Sequence, residues 1–190
     1  MAEGVRERMI GGAVRLLAQQ GLQGTSFAEV LQLTGAPRGS IYHHFPGGKD
    51  QLVAAALDVA GGQALTVLNG LAGAPAEQVT ETFLGLWRLL LERTDCRMGC
   101  AVLAVTVATD SPDLLDRAGE VFRTWRARLA ELLEQGGLSK TDAASFAVTL
   151  VASAEGAVVL SRAERSIEPF DAVAKFLLDQ VRVHRQRATK

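Results

Sequence analysis

Apolar residues recur at spacings of three and four along almost the whole chain, and the alternation that marks strands is missing. Val5, Ile10, Ala13, Val14 and Leu17 fall on one face of a first helix, with Arg6, Arg8 and Arg15 elsewhere on its surface, and Gly21 is placed to end it. Two short helices and a tight turn follow. Thr25 or Ser26 caps the first of them, with Glu29 three residues after Ser26 in the spacing of a capping box. Phe27, Val30 and Leu31 share its inner face, Gly35 supplies a residue able to take positive φ, and Pro37 suits the first turn of the next helix. In that helix Ile41 and Phe45 lie four apart and turn inward together, which leaves Arg38, Gly39, Ser40, Tyr42 and His43 on the open side.

From Lys49 to about Leu71 the recurrence of Leu52, Ala55, Ala56, Val59 and Gln63 predicts a fourth helix leading out of this head. Gly70, Gly73 and Pro75 mark a break. Ala76 to Arg93 shows a wide apolar face, and Cys100 to Ala108 is a short apolar segment whose helical neighbours favour helix over strand. Ser111-Pro112 opens a further helix that Gly136-Gly137 stops, and Ser139 with Asp142 opens the next. From Ala143 to Leu160 nearly every residue is apolar or small, with Glu155 the only charge, so this helix is expected to be covered on more than one side. Pro169 opens a last helix striped by Phe170, Val173, Ala174, Leu177 and Val181, and the basic end from Arg182 to Lys190 is expected to fray. The class is all-α, with about nine helices.

Composition changes this picture little. The 190 residues are 48% hydrophobic, ample for a proper core, and carry a net charge of −1. Residues 1 to 50 hold five Lys/Arg against four Asp/Glu, so any basic surface is local and a nucleic-acid partner must be argued from geometry. No leader with a cleavage site and no uninterrupted apolar run of bilayer length is evident, and the expected location is cytoplasmic, with no membrane partner. Cys96 and Cys100 are too few for a disulfide scaffold and lack the further ligands of a zinc site. A thiol sensor beside Arg97 and a pair of buried small residues at a helix junction are the two readings they allow.

The chemistry of the head points to DNA. A helix carrying Arg38, Gly39, Ser40, Tyr42 and His43 outward fits the major groove, where Arg38 can read a guanine and Gly39 lets the backbone approach. Ser40 and Tyr42 reach phosphates, as does Lys49 just beyond the helix, and the free N–H groups at Gly47-Gly48 face a further one. An ordinary corner between two helices has the same apolar pattern. His43 and His44 are adjacent and point apart, which argues against a metal site; neither metal nor cofactor is expected. No nucleophile–base constellation, paired carboxylates or phosphate loop appears, so an enzyme is not expected either.

The stretch TGAPRGSIYHHFPGGKDQL closely resembles the end of the DNA-binding domain of the TetR/AcrR family of transcriptional regulators, through Thr34-Gly35, Gly39-Ser40, Ile41-Tyr42, His44-Phe45 and Lys49 with its following acid. The form Phe45-Pro46-Gly47-Gly48-Lys49 is most similar to the LmrA/YxaF-type branch, while Pro37 and the double glycine depart from the commoner pattern. The resemblance implies a DNA-binding domain over residues 1–62, with the helix-turn-helix at about 25–44 and a linking helix from 49, and a regulatory domain over 63–190. It implies DNA contacts from Thr25, Ser26, Pro37, Arg38, Gly39, Ser40, Tyr42, His43 and Lys49 to a palindromic operator. It further implies a small apolar effector held among Phe83, Trp87, Cys100, Leu103, Phe122, Trp125 and Phe146, with Arg97 and Glu155 as polar anchors. A homodimer would pair through Ala147, Val151, Ala154, Val158, Phe170, Val173, Leu177 and Val181. The function so implied is a ligand-released repressor; the alternative is a helical sensor of a ligand or partner that does not touch DNA.

Overall fold

The computed structural model describes residues 4–188. Among them are nine helices and no strand: α1 (Val5–Gln20), α2 (Phe27–Thr34), α3 (Arg38–His44), α4 (Gly48–Asn69), α5 (Ala76–Arg93), α6 (Ala101–Thr106), α7 (Pro112–Gln135), α8 (Lys140–Glu164) and α9 (Glu168–Ala188). α9 runs on through Ala188 where fraying was expected; the expectation for residues 189 and 190 lies outside the described residues. The chain divides into two compact units. One holds the described residues up to Gly62 together with Cys100–Val121, the other Gln63–Gly99 and the described residues from Phe122 onward. One boundary between the units follows Gly62, and α6 and the first part of α7 pack with the head, apart from the rest of residues 63–190.

In the first unit α1 packs against α2, α3 and α6. Met9, Leu17, Val30, Ile41, Phe45 and Leu52 are among its fully enclosed side chains. The glycine pair inside α1 looks costly for a helix, and the structure gives one member a reason. A Cβ on Gly12 would stand 2.5 Å from Thr34 Cγ2, so the close approach of α1 to α2 requires glycine there, whereas Gly11 meets nothing within 4 Å. Arg117 on α7 grips Asp58 on α4 through both carboxylate oxygens, Nε donating at 2.7 Å to Oδ1, and this hydrogen bond raises the arginine's pKa further.

The second unit is built on α5, α8 and α9, which pack pairwise, with Phe83, Leu91, Leu129, Leu150 and Phe170 in its interior. Arg88 on α5 donates to both oxygens of Asp171 on α9 at 2.6 and 3.2 Å and to Glu92 one turn along at 2.9 Å. α8 buries only one side. Ala147, Val151, Ala154 and Val158 lie on that side at 5% exposure or less, as do Phe170, Leu177 and Val181 of α9 at 1% or less, with Val173 half-buried. These residues, read from sequence as a dimer surface, are therefore spent on the chain's own core. Among the apolar residues the same helices leave open are Val148, Ala152, Val159 and Leu160 on α8 and Phe176 and Val183 on α9. α4 and α8 are long and apolar enough to cross a membrane by length and composition alone, though neither is an uninterrupted apolar run, since α4 carries Asp58 and α8 carries Glu155. Half of the apolar stretch of α8 is enclosed by protein, as in a core helix.

Close backbone contact at the end of α7 yields a test. A Cβ on Gly136 would stand 2.4 Å from the Ala76 nitrogen, which itself donates to Gly136 O at 3.1 Å. Gly136→Ala should lower unfolding stability by about 1–3 kcal/mol, the usual cost of overpacking against an unyielding neighbour. Gly85→Ala, in the interior of α5 with nothing within 4 Å of the added methyl, should raise it by about 0.5–1 kcal/mol. Urea titration of both variants checks the pair of opposite signs.

Candidate nucleic-acid interface

The helix-turn-helix is held by local bonds the sequence announces. Ser26 caps α2 by accepting from the Glu29 N–H at 3.2 Å, while the Ser26 N–H donates to Glu29 Oε2 at 3.3 Å, which closes the capping box. Gly35 ends α2 in the left-handed region at φ 64°, its N–H donating to Leu31 O at 2.9 Å. Pro37 stands one residue outside α3, as its N-cap, and its carbonyl accepts from both the N–H and the hydroxyl of Ser40 at 3.0 and 2.6 Å. Ile41 and Phe45 are fully buried, and Arg6 lies over the Phe45 ring at 5.5 Å. This fixes the inner side of a helix of only seven residues.

The outer side then carries Arg38, Gly39, Tyr42 and His43, all exposed, with Ser40 half-exposed. Arg38 and Tyr42 are one turn apart and face the same way. Phe27 meets the Tyr42 ring edge-on at 5.6 Å, which limits where the phenol can swing. Between α2 and α3 opens a trough of about 650 Å³, lined on the α2 side by Phe27, Ala28 and Gln32 and on the α3 side by Arg38 and Tyr42. Ala28 and Gln32 are exposed and were not singled out from sequence, although their spacing of four on α2, away from buried Val30, places them together on its open side.

Three expected contacts are otherwise engaged. Thr25 is 1% exposed and its hydroxyl donates to Gly21 O at 2.9 Å, so it closes the turn after α1 and presents no polar group outward. Lys49 is half-buried and its Nζ donates to Leu22 O at 2.7 Å, tying the start of α4 to the same turn. The Gly47 N–H donates to Gln51 Oε1 at 2.9 Å and the Gly48 N–H to Phe45 O at 3.0 Å, so these are not open to an anion as the sequence reading had them.

The candidate effector residues divide between the units. Phe83, Trp87, Trp125 and Phe122 form one chain of edge-to-face ring contacts in the second unit, with centroids at 6.5, 6.3 and 5.7 Å. Trp87 Nε1 is buried there without an acceptor. Phe146 joins the same unit's core, and Glu155 on α8 is 7% exposed. Cys100 and Leu103 belong instead to the first unit, where the Cys100 sulfur accepts from the Leu103 N–H at 3.3 Å and caps α6. Arg97 is not an inward anchor: its side chain is 75% exposed and pairs with Asp95 at 3.1 Å. Among the described residues no group of three or more His, Cys, Asp or Glu side chains is placed to hold a metal.

Two family models match the chain. The one described as bacterial regulatory proteins of the tetR family covers residues 10–56, and the one described as the LmrA/YxaF-like C-terminal domain of transcriptional regulators covers residues 75–176. The uncharacterized HTH-type transcriptional regulator Rv0196 of Mycobacterium tuberculosis is 36% identical over 182 residues, spanning 92% of this chain and 93% of that one. The HTH-type transcriptional regulator LmrA of Bacillus subtilis is 28% identical over 173 residues, spanning 86% and 89%. A crystal structure of a TetR transcriptional regulator from Legionella pneumophila has the same fold, with a TM-score of 0.85 at 21% identity over 94% of this chain and 97% of that one.

The remaining sequence candidate is the thiol at Cys96. Asp95 and Cys96 both take positive φ, at 51° and 54°, and the Cys96 N–H donates back to Leu91 O at 2.8 Å, folding the thiol inward at the end of α5. Burial raises its pKa above the ordinary thiol value, and the neighbouring Asp95 charge adds to the shift. A raised pKa leaves less thiolate at any pH below it, so Cys96 resembles a packed apolar residue more than a sensor. At pH 8, iodoacetamide should alkylate it in the folded protein about tenfold or more slowly than in urea-unfolded protein. Site-resolved mass spectrometry checks this, and equal rates would return the thiol to the list of reactive groups.

Proposed function

The chain belongs to the TetR family of transcriptional regulators, in the branch with an LmrA/YxaF-like C-terminal domain, and on that footing we propose that it is a homodimeric repressor released from its operator by a small apolar effector. The family is one of DNA-binding regulators and not of enzymes. The observation that carries the reading is the open face of α3, where Arg38 and Tyr42 stand out together on a helix whose inner side is fixed by Ile41 and Phe45. Arg38 reads a base edge; Ser26, Pro37, Gly39, Ser40, Tyr42 and His43 position the helix against backbone and bases. Thr25 acts beneath this surface by holding the turn.

The effector in this reading is an apolar molecule among Phe83, Trp87, Phe122 and Trp125, with the buried Trp87 indole N–H as the donor its one acceptor would meet. Its binding favours one arrangement of α4, and hence one spacing of the two recognition helices, only in so far as its affinity differs between the two states. A sensor that does not touch DNA remains the competing account, and the open α3 face weighs against it.

The test is a gel shift against the DNA upstream of the chain's own gene, repeated over a compound panel. Arg38→Ala should lower discrimination between operator and random duplex by about 1–3 kcal/mol, as for a lost bidentate base contact. Lys49→Ala separates two roles: a phosphate clamp predicts a salt slope smaller by about one, whereas the observed bond to Leu22 O predicts a less stable head with the slope unchanged. Equal binding of wild type and Arg38→Ala to both duplexes would remove the base-reading assignment.

Pairing is proposed through the sides of α8 and α9 left open by the core, around Leu160 at 50% and Phe176 at 60% exposure. Leu160→Glu or Phe176→Glu should give folded monomers in sedimentation and weak operator binding, since one head meets only a half-site. Val158→Glu, at 1% exposure, should instead unfold the second unit. Dimers that survive both exposed-face substitutions would place the pairing surface elsewhere.

A further inference from the structure

Arg128 stands on the buried ridge of α7, one turn after Trp125 and one turn before Leu132. Its Nη1 donates to Glu131 Oε2 at 3.0 Å, but Glu131 is 62% exposed, and an ion pair of that kind contributes little. The other edge of the guanidinium is different. Nε is fully enclosed and meets no acceptor, and Glu131 is the only polar partner of the side chain among the described residues. The edge formed by Nε and Nη2, which can hold a carboxylate side-on through two parallel N–H bonds, is therefore unengaged, with Nε inside the second unit.

The position of this edge says what belongs against it. The Ala76 N–H bonds Gly136 O at one end of α5 and α7, and the Trp87 and Trp125 rings meet further along, at equal spacings on the two helices. The helices thus run antiparallel, and Arg128 falls about level with Leu84, one turn from Trp87. The arginine edge and the Trp87 indole donor border the same row of aromatic rings. A neutral apolar molecule answers the rings and the indole but leaves an enclosed donor on a cation unmet, which costs more than an unmet neutral one. A phosphate would bring two charges and a tight hydration shell among apolar rings, and one guanidinium edge does not return that cost. A carboxylate matches the planar edge with a single charge. We propose that the effector is an aromatic carboxylate, with its ring against Trp87 and Trp125 and its carboxylate held side-on by Arg128. The inference rests on the effector reading above and supplies the charged anchor that Arg97, standing in solvent, does not.

The experiment is isothermal titration calorimetry at pH 7.5 with phenylacetate, 1-naphthylacetate and the amide of each, which matches its acid in shape and lacks its charge. Wild type should bind at least one acid about 10–100-fold more tightly than its amide, the range for hydrogen bonds to charged groups. Arg128→Met, which keeps an apolar stem, should bring acid and amide to equal affinity. Arg128→Lys, which keeps the charge and loses the planar edge, should retain only part of the preference. Because the acid is compared with its amide within each protein, a general loosening that weakens both alike does not imitate the effect; Arg128→Lys carries the test if Arg128→Met does not fold. Arg97→Met removes an equal charge elsewhere and should leave the preference as in wild type. Equal affinities in wild type, binding of none of the four compounds, or a preference that survives Arg128→Met would overturn the proposal. So would displacement of the acid by inorganic phosphate at equal concentration, which would make the edge a general anion site. A gel shift of the same wild-type protein with its upstream DNA keeps the two readings apart. A shift without acid preference overturns the carboxylate site alone, whereas acid preference without a shift removes the regulator reading and leaves a carboxylate sensor.

Discussion

A helix of seven residues cannot hold itself together in water, because two turns do not recover the cost of nucleation. α3 exists because Ile41 and Phe45 are fully buried on one side of it, and much of the first unit answers that requirement. α1 approaches closely enough to form the wall only because Gly12 has no Cβ to meet Thr34. The turn after α1 is closed by the Thr25 hydroxyl and by Lys49 from the start of α4, so residues on either side of the two short helices lock the frame into which α3 is pressed. The outward side chains inherit their position from this inward clamping.

What was legible in the sequence was what local chemistry decides. Ser26 and Glu29 form their capping box, Gly35 takes its left-handed turn, and Ile41 with Phe45 faces inward, because caps, positive φ and four-residue spacing act over a few residues. The family resemblance in the head is likewise carried by contiguous residues and is matched by the family model over residues 10–56. What was not legible is which of several possible partners a group takes. Lys49 has the same spacing whether it donates to a phosphate or, as here, to Leu22 O, 27 residues earlier. α8 is apolar on nearly every side, so its pattern carries no signal for the side that turns inward: Val151 and Val158, read as a pairing surface, are buried, while Val148 and Leu160 are exposed. Arg97 reads as an anchor until Asp95, two residues away, is seen to hold it in solvent.

The second unit uses a different logic. Its interior is large and its helices long, so packing and not capping sets the arrangement, with the Arg88–Asp171 fork fastening α5 to α9 at the surface. The aromatic chain from Phe83 through Trp87 and Trp125 to Phe122 holds a buried indole N–H with no acceptor. A donor left unanswered in a core costs about 1–3 kcal/mol. A molecule that supplied the missing acceptor would recover that cost on binding, and this is the energetic ground for the effector site proposed above.

Arg38 has no carboxylate partner among the described residues. Its consequence is one of rates. On the proposed reading, a bare guanidinium on a small exposed helix projects its field where the molecule would first meet an anionic polymer, so the same group would serve the diffusional encounter and the final recognition, with no internal pair to break between them. Added salt screens the first role over about 8–10 Å while leaving the hydrogen-bond geometry of the second unchanged. Arrival should therefore slow with ionic strength more steeply than base selectivity declines.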